Sequence, residues 1–322
     1  MRQRVPLLGA ALAATALAAL PGCGGPPPLR GAPAASAPGP SRAPQDFSRQ
    51  VDVGGGRRLW LSCRGSGSPT VVLESGLHDS SDTWNITDTR PPVPASPAVF
   101  PGVAAFARVC TYDRPGTIRY AKPPALTTRS TPQTGTRSLA AMAADLDRVL
   151  TAGRVPGPYL LVGHSFGGMI TRLYAQRHPR KTAGLVFVDA FGTNMRPYFG
   201  ARWPAYVELL DDPGTPFDAD PGFEKADIDG AVAAVRAAGP LPRVPMAVLS
   251  KTEPFAAPSG AAKDLLAPLE RAWPAVQQAL VELGEQTPHL LATGSDHYVQ
   301  VHDPDLTISA IRLVAGRIRA GR

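Results

Sequence analysis

The sequence predicts an α/β fold in which a mostly parallel, eight-stranded sheet is flanked by helices. Eight short β-rich runs alternate along the chain with segments of helical periodicity, an alternation typical of α/β proteins. Most of these runs are apolar at nearly every position, as expected for strands that are buried on both faces of a parallel sheet. The runs lie at 50–53, 57–64, 70–74, 108–113, 159–163, 184–189, 245–250 and 289–294.

The individual elements follow from local patterns. Gly54-Gly55-Gly56 joins the first two runs, which are therefore expected to form an N-terminal hairpin. The segment 136–152 carries apolar residues at helical spacing and predicts an amphipathic helix. Its apolar face consists of Leu139, Met142, Leu146 and Val149. Further helices are expected over 166–177, about 262–283 and 304–320.

The start of the chain has the pattern of a secretory signal peptide, predicted over 1–23. Two arginines precede an apolar stretch over 5–20 that is short for a membrane span. The sequence LPGC at 20–23 resembles a bacterial lipobox, although its Pro departs from the small or aliphatic residue usual there. We expect export and a lipidated Cys23 that attaches the protein to the cell membrane; the alternative is cleavage and release.

The rest of the chain divides into a tether and one domain. Residues 24–45 consist mainly of Pro, Ala, Gly and Ser without an aromatic residue, a composition that predicts a flexible tether. Residues 46–322 suffice for one large α/β domain with an insertion. Aromatic residues among Pro, Asp and Gly interrupt the alternation at about 190–243, just after the run that ends at Asp189. We expect a cap insertion there; the alternative is a surface excursion that packs its own aromatic side chains.

Composition and motifs exclude several classes of function. The formal net charge of +7 includes two arginines of the signal segment, and the other basic residues are scattered along the chain. A nucleic-acid-binding protein would be expected to carry a basic run. The sequence has no metal-ligand cluster, dinucleotide glycine pattern or phosphate loop. We therefore expect no cofactor, no metal and no nucleic-acid partner.

The segment LLVGHSFGGMITRLYA carries the clearest chemical signal. Residues 163–167 match G-x-S-x-G, between a strand-like run and a helix-compatible run. At such a turn the Ser has strained backbone geometry, and the glycines prevent collisions between neighbouring segments. The turn projects the hydroxyl beside a helix N-terminus, which favours negative charge. Ser165 is therefore the predicted nucleophile.

A serine nucleophile needs a base and a third group that orients the base. His297 lies in the loop after the last predicted strand, from which it can reach the strand ends where Ser165 sits, and it is the predicted base. His78 is left open between a role in the loop after the third strand and a place on the surface. The remaining histidines have structural explanations in the turn, in helices or in a strand: His164, His178, His289 and His302.

The oxyanion that forms during acyl transfer needs two backbone N–H donors. One is expected from Phe166, the residue after the nucleophile. The other is expected from the loop after the third strand, where position favours Leu77.

Taken together, these residues resemble those of the α/β-hydrolase superfamily, most closely its extracytoplasmic actinobacterial members. The resemblance covers about 50–320 and implies an α/β-hydrolase fold whose cap insertion follows the sixth strand. Many relatives carry His-Gly before the oxyanion residue, whereas Ser75-Gly76 stands here, which changes the expected shape of that loop. The motifs that carry the resemblance are ESGLHDSSDTW (74–84), RVCTYDRPG (108–116), GPYLLVGHSFGG (157–168), GLVFVDA (184–190) and TGSDHY (293–298).

The resemblance also bears on the cysteines. An exported protein meets an oxidising compartment, in which Cys63 and Cys110 can form a disulfide or remain buried thiols. The superfamily's strand order, 1-2-4-3-5-6-7-8, places the second and fourth strands side by side. Cys63 falls on the second and Cys110 on the fourth, so the resemblance implies a Cys63–Cys110 disulfide.

Two carboxylates compete for the third position of the triad. Most members of the superfamily take the acid from the end of the seventh strand, where Glu253 follows a shortened turn, and Glu253 is our first expectation. Asp189, at the end of the sixth strand, is the alternative. Asp296, next to the base, is a minor candidate.

The expected function is that of an exported serine hydrolase that cleaves carboxylic esters through an acyl-enzyme intermediate. The expected substrates are small-molecule esters with apolar acyl groups or, in the alternative of a secreted aminopeptidase, short peptides. A second alternative is a surface lipoprotein that binds a ligand without turnover.

Overall fold

The computed structural model describes residues 45–88, 94–256 and 263–321. The predicted signal peptide, Cys23 and all but the last residue of the predicted tether lie outside the described residues. Within the described ranges, no helix is both long and apolar enough to span a membrane.

Eight strands of the described residues form one sheet, which confirms the predicted fold class. They are β1 (Phe47–Gly54), β2 (Arg57–Arg64), β3 (Thr70–Glu74), β4 (Val109–Tyr112), β5 (Tyr159–His164), β6 (Thr182–Val188), β7 (Met246–Lys251) and β8 (His289–Ala292). The strand order is β1-β2-β4-β3-β5-β6-β7-β8, as the resemblance implied. The pairs β1–β2 and β2–β4 are antiparallel, and the other neighbours are parallel.

Helices cover both faces of the sheet because its central strands are apolar on both sides. In β3 and β5, Val72 and Leu161 pack into the core on one face, while Val71 and Leu160 pack into the core on the other. The helices of the described residues are α1 (Val99–Ala104), α2 (Leu139–Ala152), α3 (Phe166–Arg177), α4 (Arg196–Phe199), α5 (Trp203–Asp211), α6 (Ile228–Ala237), α7 (Lys263–Val281), α8 (Val299–His302) and α9 (Pro304–Arg319). Side chains of α2, α3 and α7 belong to the first core, and those of α1 and α9 belong to the second.

The helix predicted over 136–152 begins three residues later than expected. Residues Thr136–Arg137 instead form a short parallel pairing with Lys225–Ala226. Ser138 then caps α2, because its hydroxyl accepts a hydrogen bond from the N–H of Ala141 at 3.2 Å. The four side chains of the predicted apolar face are all buried.

A disulfide joins the two cysteines that the resemblance paired. Cys63 and Cys110 lie directly opposite each other in the antiparallel pairing of β2 and β4, and their sulfur atoms are bonded. Both residues are fully buried.

The segment between β6 and β7 contains α4, α5 and α6 and the short strand Lys225–Ala226. Its larger apolar side chains join the core on the α3 side of the sheet: Phe199, Trp203, Tyr206, Ile228 and Val235. We refer to residues 190–243 as the insertion.

Candidate active site

Ser165 occupies the sharp turn between β5 and α3. Its backbone has φ 50° and ψ −125°, a left-handed region that side chains other than Gly rarely adopt. Three backbone hydrogen bonds hold it there: the Ser165 N–H donates to Val188 O at 3.2 Å, and Ser165 O accepts from Gly168 and Phe191, each at 2.9 Å. The strain expected from G-x-S-x-G is therefore present and stabilised by the neighbouring strand.

Close approach of the backbone explains the two glycines of the motif. A Cβ atom at Gly163 would lie 2.6 Å from Gly167 O. At Gly167 it would lie 2.5 Å from both Glu74 O and Ser75 O, so any side chain there would push α3 away from the loop after β3.

The structure pairs His297 with Asp189. His297 Nδ1 lies 2.6 Å from Asp189 Oδ2, and since the carboxylate can only accept, Nδ1 carries the hydrogen and Nε2 is left to take a proton. The other carboxylate oxygen, Oδ1, accepts from the Lys251 N–H at 3.0 Å and from Trp273 Nε1 at 2.8 Å. Asp189 is completely buried, and its three hydrogen bonds compensate the charge.

The structure corrects the first expectation for the acid. Glu253 is exposed, and its carboxylate makes no hydrogen bond or ion pair with any described residue. Its N–H donates to Ser295 O at 3.0 Å, and its carbonyl accepts from Lys251 Nζ at 2.8 Å. Strand β7 extends to Lys251, whose backbone N–H donates to Asp189. Glu253 lies in the turn that follows, where its side chain is exposed to solvent.

The histidine before the nucleophile brings His297 next to the turn. The ring centroids of His164 and His297 are 4.7 Å apart, and His164 Nε2 lies 2.9 Å from His297 O. Burial, and then the proximity of His297, hold the pKa of His164 well below its usual value. His164 is therefore neutral, and it packs between the turn and His297. The Ser165 hydroxyl makes no hydrogen bond to any described residue; catalytic hydrogen bonds often tighten only when substrate binds.

Two backbone N–H groups are available beside Ser165. Neither the Phe166 N–H, at the start of α3, nor the Leu77 N–H has a hydrogen-bond acceptor within the described part of the chain. The loop that carries Leu77 packs on the turn, since a Cβ at Gly76 would lie 2.9 Å from His164 Nδ1. Their use as oxyanion donors stays a prediction.

His78 is not a surface histidine. Its ring stacks on Phe223 of the insertion with centroids 4.3 Å apart, and its Nε2 lies 2.6 Å from Leu210 O. Burial lowers its pKa. His78 therefore links the loop after β3 to the insertion.

An aromatic wall surrounds His297. Ring centroids of Phe255, Trp273 and Tyr298 lie 5.0, 5.3 and 5.7 Å from its ring. The ring of Phe191 packs edge-on against Trp273, with the two ring centroids 6.4 Å apart. The sequence did not predict that Trp273 and Phe255 lie at the site. Both residues follow β7 in the chain and come close to His297 only when the chain is folded.

Comparisons with known proteins support the fold. A family model described as alpha/beta hydrolase fold matches residues 69–226. The protein C23C11.06c of Schizosaccharomyces pombe, described as uncharacterized, is 31% identical over 151 residues, which cover 41% of this chain and 26% of that protein. The chain spans less than half the length of the curated relatives that it matches.

Two solved structures illustrate the shared fold. The enol-lactonase from Burkholderia xenovorans LB400 is 16% identical with a TM-score of 0.51, covering 82% of this chain and 98% of that chain. A thermophilic esterase from Thermogutta terrifontis is 16% identical with a TM-score of 0.52, covering 85% and 99% of the two chains. At these identities the likeness shows the fold alone.

Proposed function

Because this chain belongs to the α/β-hydrolase superfamily, we propose that it is a serine hydrolase of carboxylic esters, with Ser165 as nucleophile, His297 as base and Asp189 as the acid that orients the base. The observation that carries the proposal is the 2.6 Å contact between His297 Nδ1 and buried Asp189, beside a serine with φ 50°. A merely structural serine turn would not require either feature.

The mechanism follows from the positions of the hydrogen atoms. His297 Nε2 takes the Ser165 proton as Oγ forms a bond to the substrate carbonyl carbon, and the carbonyl oxygen becomes an oxyanion. The N–H groups of Phe166 and Leu77 donate to that oxyanion. The intermediate collapses as the alcohol leaves with the proton from His297, and an acyl-enzyme remains. His297 Nε2 then takes a proton from water as the water oxygen bonds to the acyl carbon. The bond between Ser165 Oγ and that carbon breaks, Oγ regains the proton from His297, and the carboxylic acid is released.

The aromatic wall supports esters with apolar acyl groups as substrates. Phe255 and Trp273 contact the His297 ring, and Phe191 packs against Trp273, so the surroundings of the base are apolar, as suits a substrate with an apolar acyl group. The two solved structures are named an esterase and an enol-lactonase, and an ester or a lactone as the substrate class is in keeping with those names.

Export and lipid attachment are part of the proposal. The signal-like start and the cysteine at position 23 support them. The Cys63–Cys110 disulfide independently supports export, because structural disulfides are rare in cytosolic proteins.

Fluorophosphonate labelling tests the nucleophile. The wild-type protein should be labelled covalently, and Ser165→Ala should lose the label, because the probe reacts only with an activated serine. Ser66→Ala, which changes an exposed serine, is the matched control and should be labelled like the wild type. Absence of labelling in the wild type would contradict the proposal and favour a ligand-binding lipoprotein.

A panel of substrates then distinguishes an esterase from an aminopeptidase. Nitrophenyl esters from acetyl to dodecanoyl are expected to be cleaved, with the longer apolar chains preferred. Cleavage of amino-acid nitroanilides without cleavage of the esters would replace the esterase by an aminopeptidase.

A further inference from the structure

A completely buried arginine holds the loop that carries Leu77. All five N–H bonds of the Arg114 guanidinium are used. Two go to loop carbonyls, Nη1 to Ser75 O at 2.9 Å and Nη2 to Gly76 O at 2.5 Å. The other three go to carboxylates, one to Glu74 Oε1 at 2.6 Å and two to Glu224 at 2.6 and 2.9 Å.

These contacts determine the direction of the Leu77 N–H. The peptide bond between Gly76 and Leu77 is trans, so its C=O and N–H point in opposite directions. Because Arg114 binds the Gly76 carbonyl, the Leu77 N–H points away from the guanidinium. The Leu77 N–H has no acceptor among the described residues, as an oxyanion donor requires.

The next peptide unit is held from the insertion. Glu224 Oε2 accepts the N–H of His78 at 2.7 Å while the same carboxylate binds Arg114. Glu224 is itself anchored, because its own N–H donates to Gly116 O at 3.1 Å. Leu77 therefore lies between two peptide units that are both tied to one buried ion pair.

The ion pairs of Arg114 with Glu74 and Glu224 are buried, and burial affects the pKa of both carboxylates. One cation faces two carboxylates: burial raises the pKa of Glu74 to about 7 although Arg114 opposes that rise. Burial would also raise the pKa of Glu224, but the charge and hydrogen bonds of Arg114 outweigh it and keep this pKa below its usual value. Arg114 also donates two hydrogen bonds to Glu224 and only one to Glu74. Since a buried pair adds little net stability after desolvation, fixed geometry is its main contribution.

We propose that Arg114 and Glu224 are positioning residues that orient the Leu77 N–H toward the oxyanion, so that the insertion acts on catalysis through the loop after β3. This inference rests on the proposed function. Misdirecting one oxyanion donor weakens the transition state more than the bound substrate, and the loss should appear in kcat and not in KM.

The test compares Glu224→Gln with a buried ion pair elsewhere. Asp145 is buried and bound to Arg57 at 2.7 Å, to Arg137 at 2.6 Å and to Arg148 at 3.2 Å, and it has no hydrogen bond to Arg114, to Glu224 or to the loop after β3, so Asp145→Asn is the matched control for lost stability. Glu224→Gln should lower kcat about tenfold to hundredfold with KM changed by less than about threefold. The inhibition constant of a trifluoromethyl ketone, whose adduct carries an oxyanion, should rise by the same factor as kcat falls.

The outcomes are separable. Asp145→Asn should melt at a lower temperature with kcat and the inhibition constant unchanged. If Glu224→Gln behaves in the same way, the pair is only structural and the inference is wrong. If Glu224→Gln does not fold, Glu224→Asp, which keeps the charge but withdraws it from His78, decides by the same two measurements. Failure of the wild type to label at Ser165 would remove the proposed function instead, before any variant is compared.

Discussion

Asp189 and Glu253 show what decides a role at the scale of single residues. Both are carboxylates that follow apolar strands, and the resemblance to the superfamily ranks Glu253 first, whereas the structure pairs Asp189 with His297. The difference arises from partners distant in the chain: the Trp273 indole and the Lys251 amide complete the hydrogen bonding of Asp189, while Glu253 faces solvent. A residue pattern contains no information about which helix side chain will reach a strand end.

Substitution of the two carboxylates should separate their roles. Asp189→Asn is expected to lower kcat by about 10³- to 10⁴-fold, because the amide no longer stabilises the protonated His297 or fixes its tautomer. Glu253→Gln should stay within about twofold of wild type, since an exposed loop charge rarely matters for chemistry or stability. Steady-state hydrolysis of one nitrophenyl ester, with circular dichroism to verify folding, measures both. A large loss in Glu253→Gln with an active Asp189→Asn would reverse the assignment.

At the scale of elements, local pattern predicts more than it does for single contacts. The apolar face of α2 was predictable from the sequence because four apolar side chains recur at helical spacing, and all four are buried. The first residue of α2 was not predictable, because Thr136 and Arg137 pair with a short strand of the insertion that is distant in the sequence. The turn at Ser165 was predictable because its glycines are required by close contacts within a few residues and with one neighbouring loop.

The pairing of β2 with β4 yields a prediction for the disulfide. Cys63 and Cys110 are 47 residues apart, and closing a loop of that length stabilises the folded state by about 3 to 4 kcal/mol through the entropy of the unfolded chain. Reduction should therefore lower the free energy of unfolding by about that amount in urea titrations. The double variant Cys63→Ala/Cys110→Ala is the control and should not respond to reductant. An unchanged unfolding midpoint of the wild type on reduction would show that the bond contributes nothing.

At the scale of the whole molecule, the parallel sheet brings the chemistry to one edge. Ser165 follows β5, Asp189 follows β6 and His297 follows β8, and the carboxyl ends of these parallel strands lie on the same side of the sheet. The loops after β3 and β4 supply Leu77 and Arg114 at that edge. This explains why residues from distant parts of the chain could be grouped from the sequence, although the contacts between them could not.

Lipid attachment is the property of the whole molecule that is most open to a direct test. If Cys23 is the modified N-terminus, the protein expressed with its full sequence in a bacterial host should incorporate an alkynyl fatty acid and sediment with membranes. Cys23→Ala should lose the label, because the thiol that would carry the lipid is gone. Ser165→Ala, which leaves the start of the chain intact, should remain labelled and membrane-bound. A wild-type protein that is exported, unlabelled and found in the medium would instead establish cleavage and release, and the esterase activity would then act on substrates away from the cell surface.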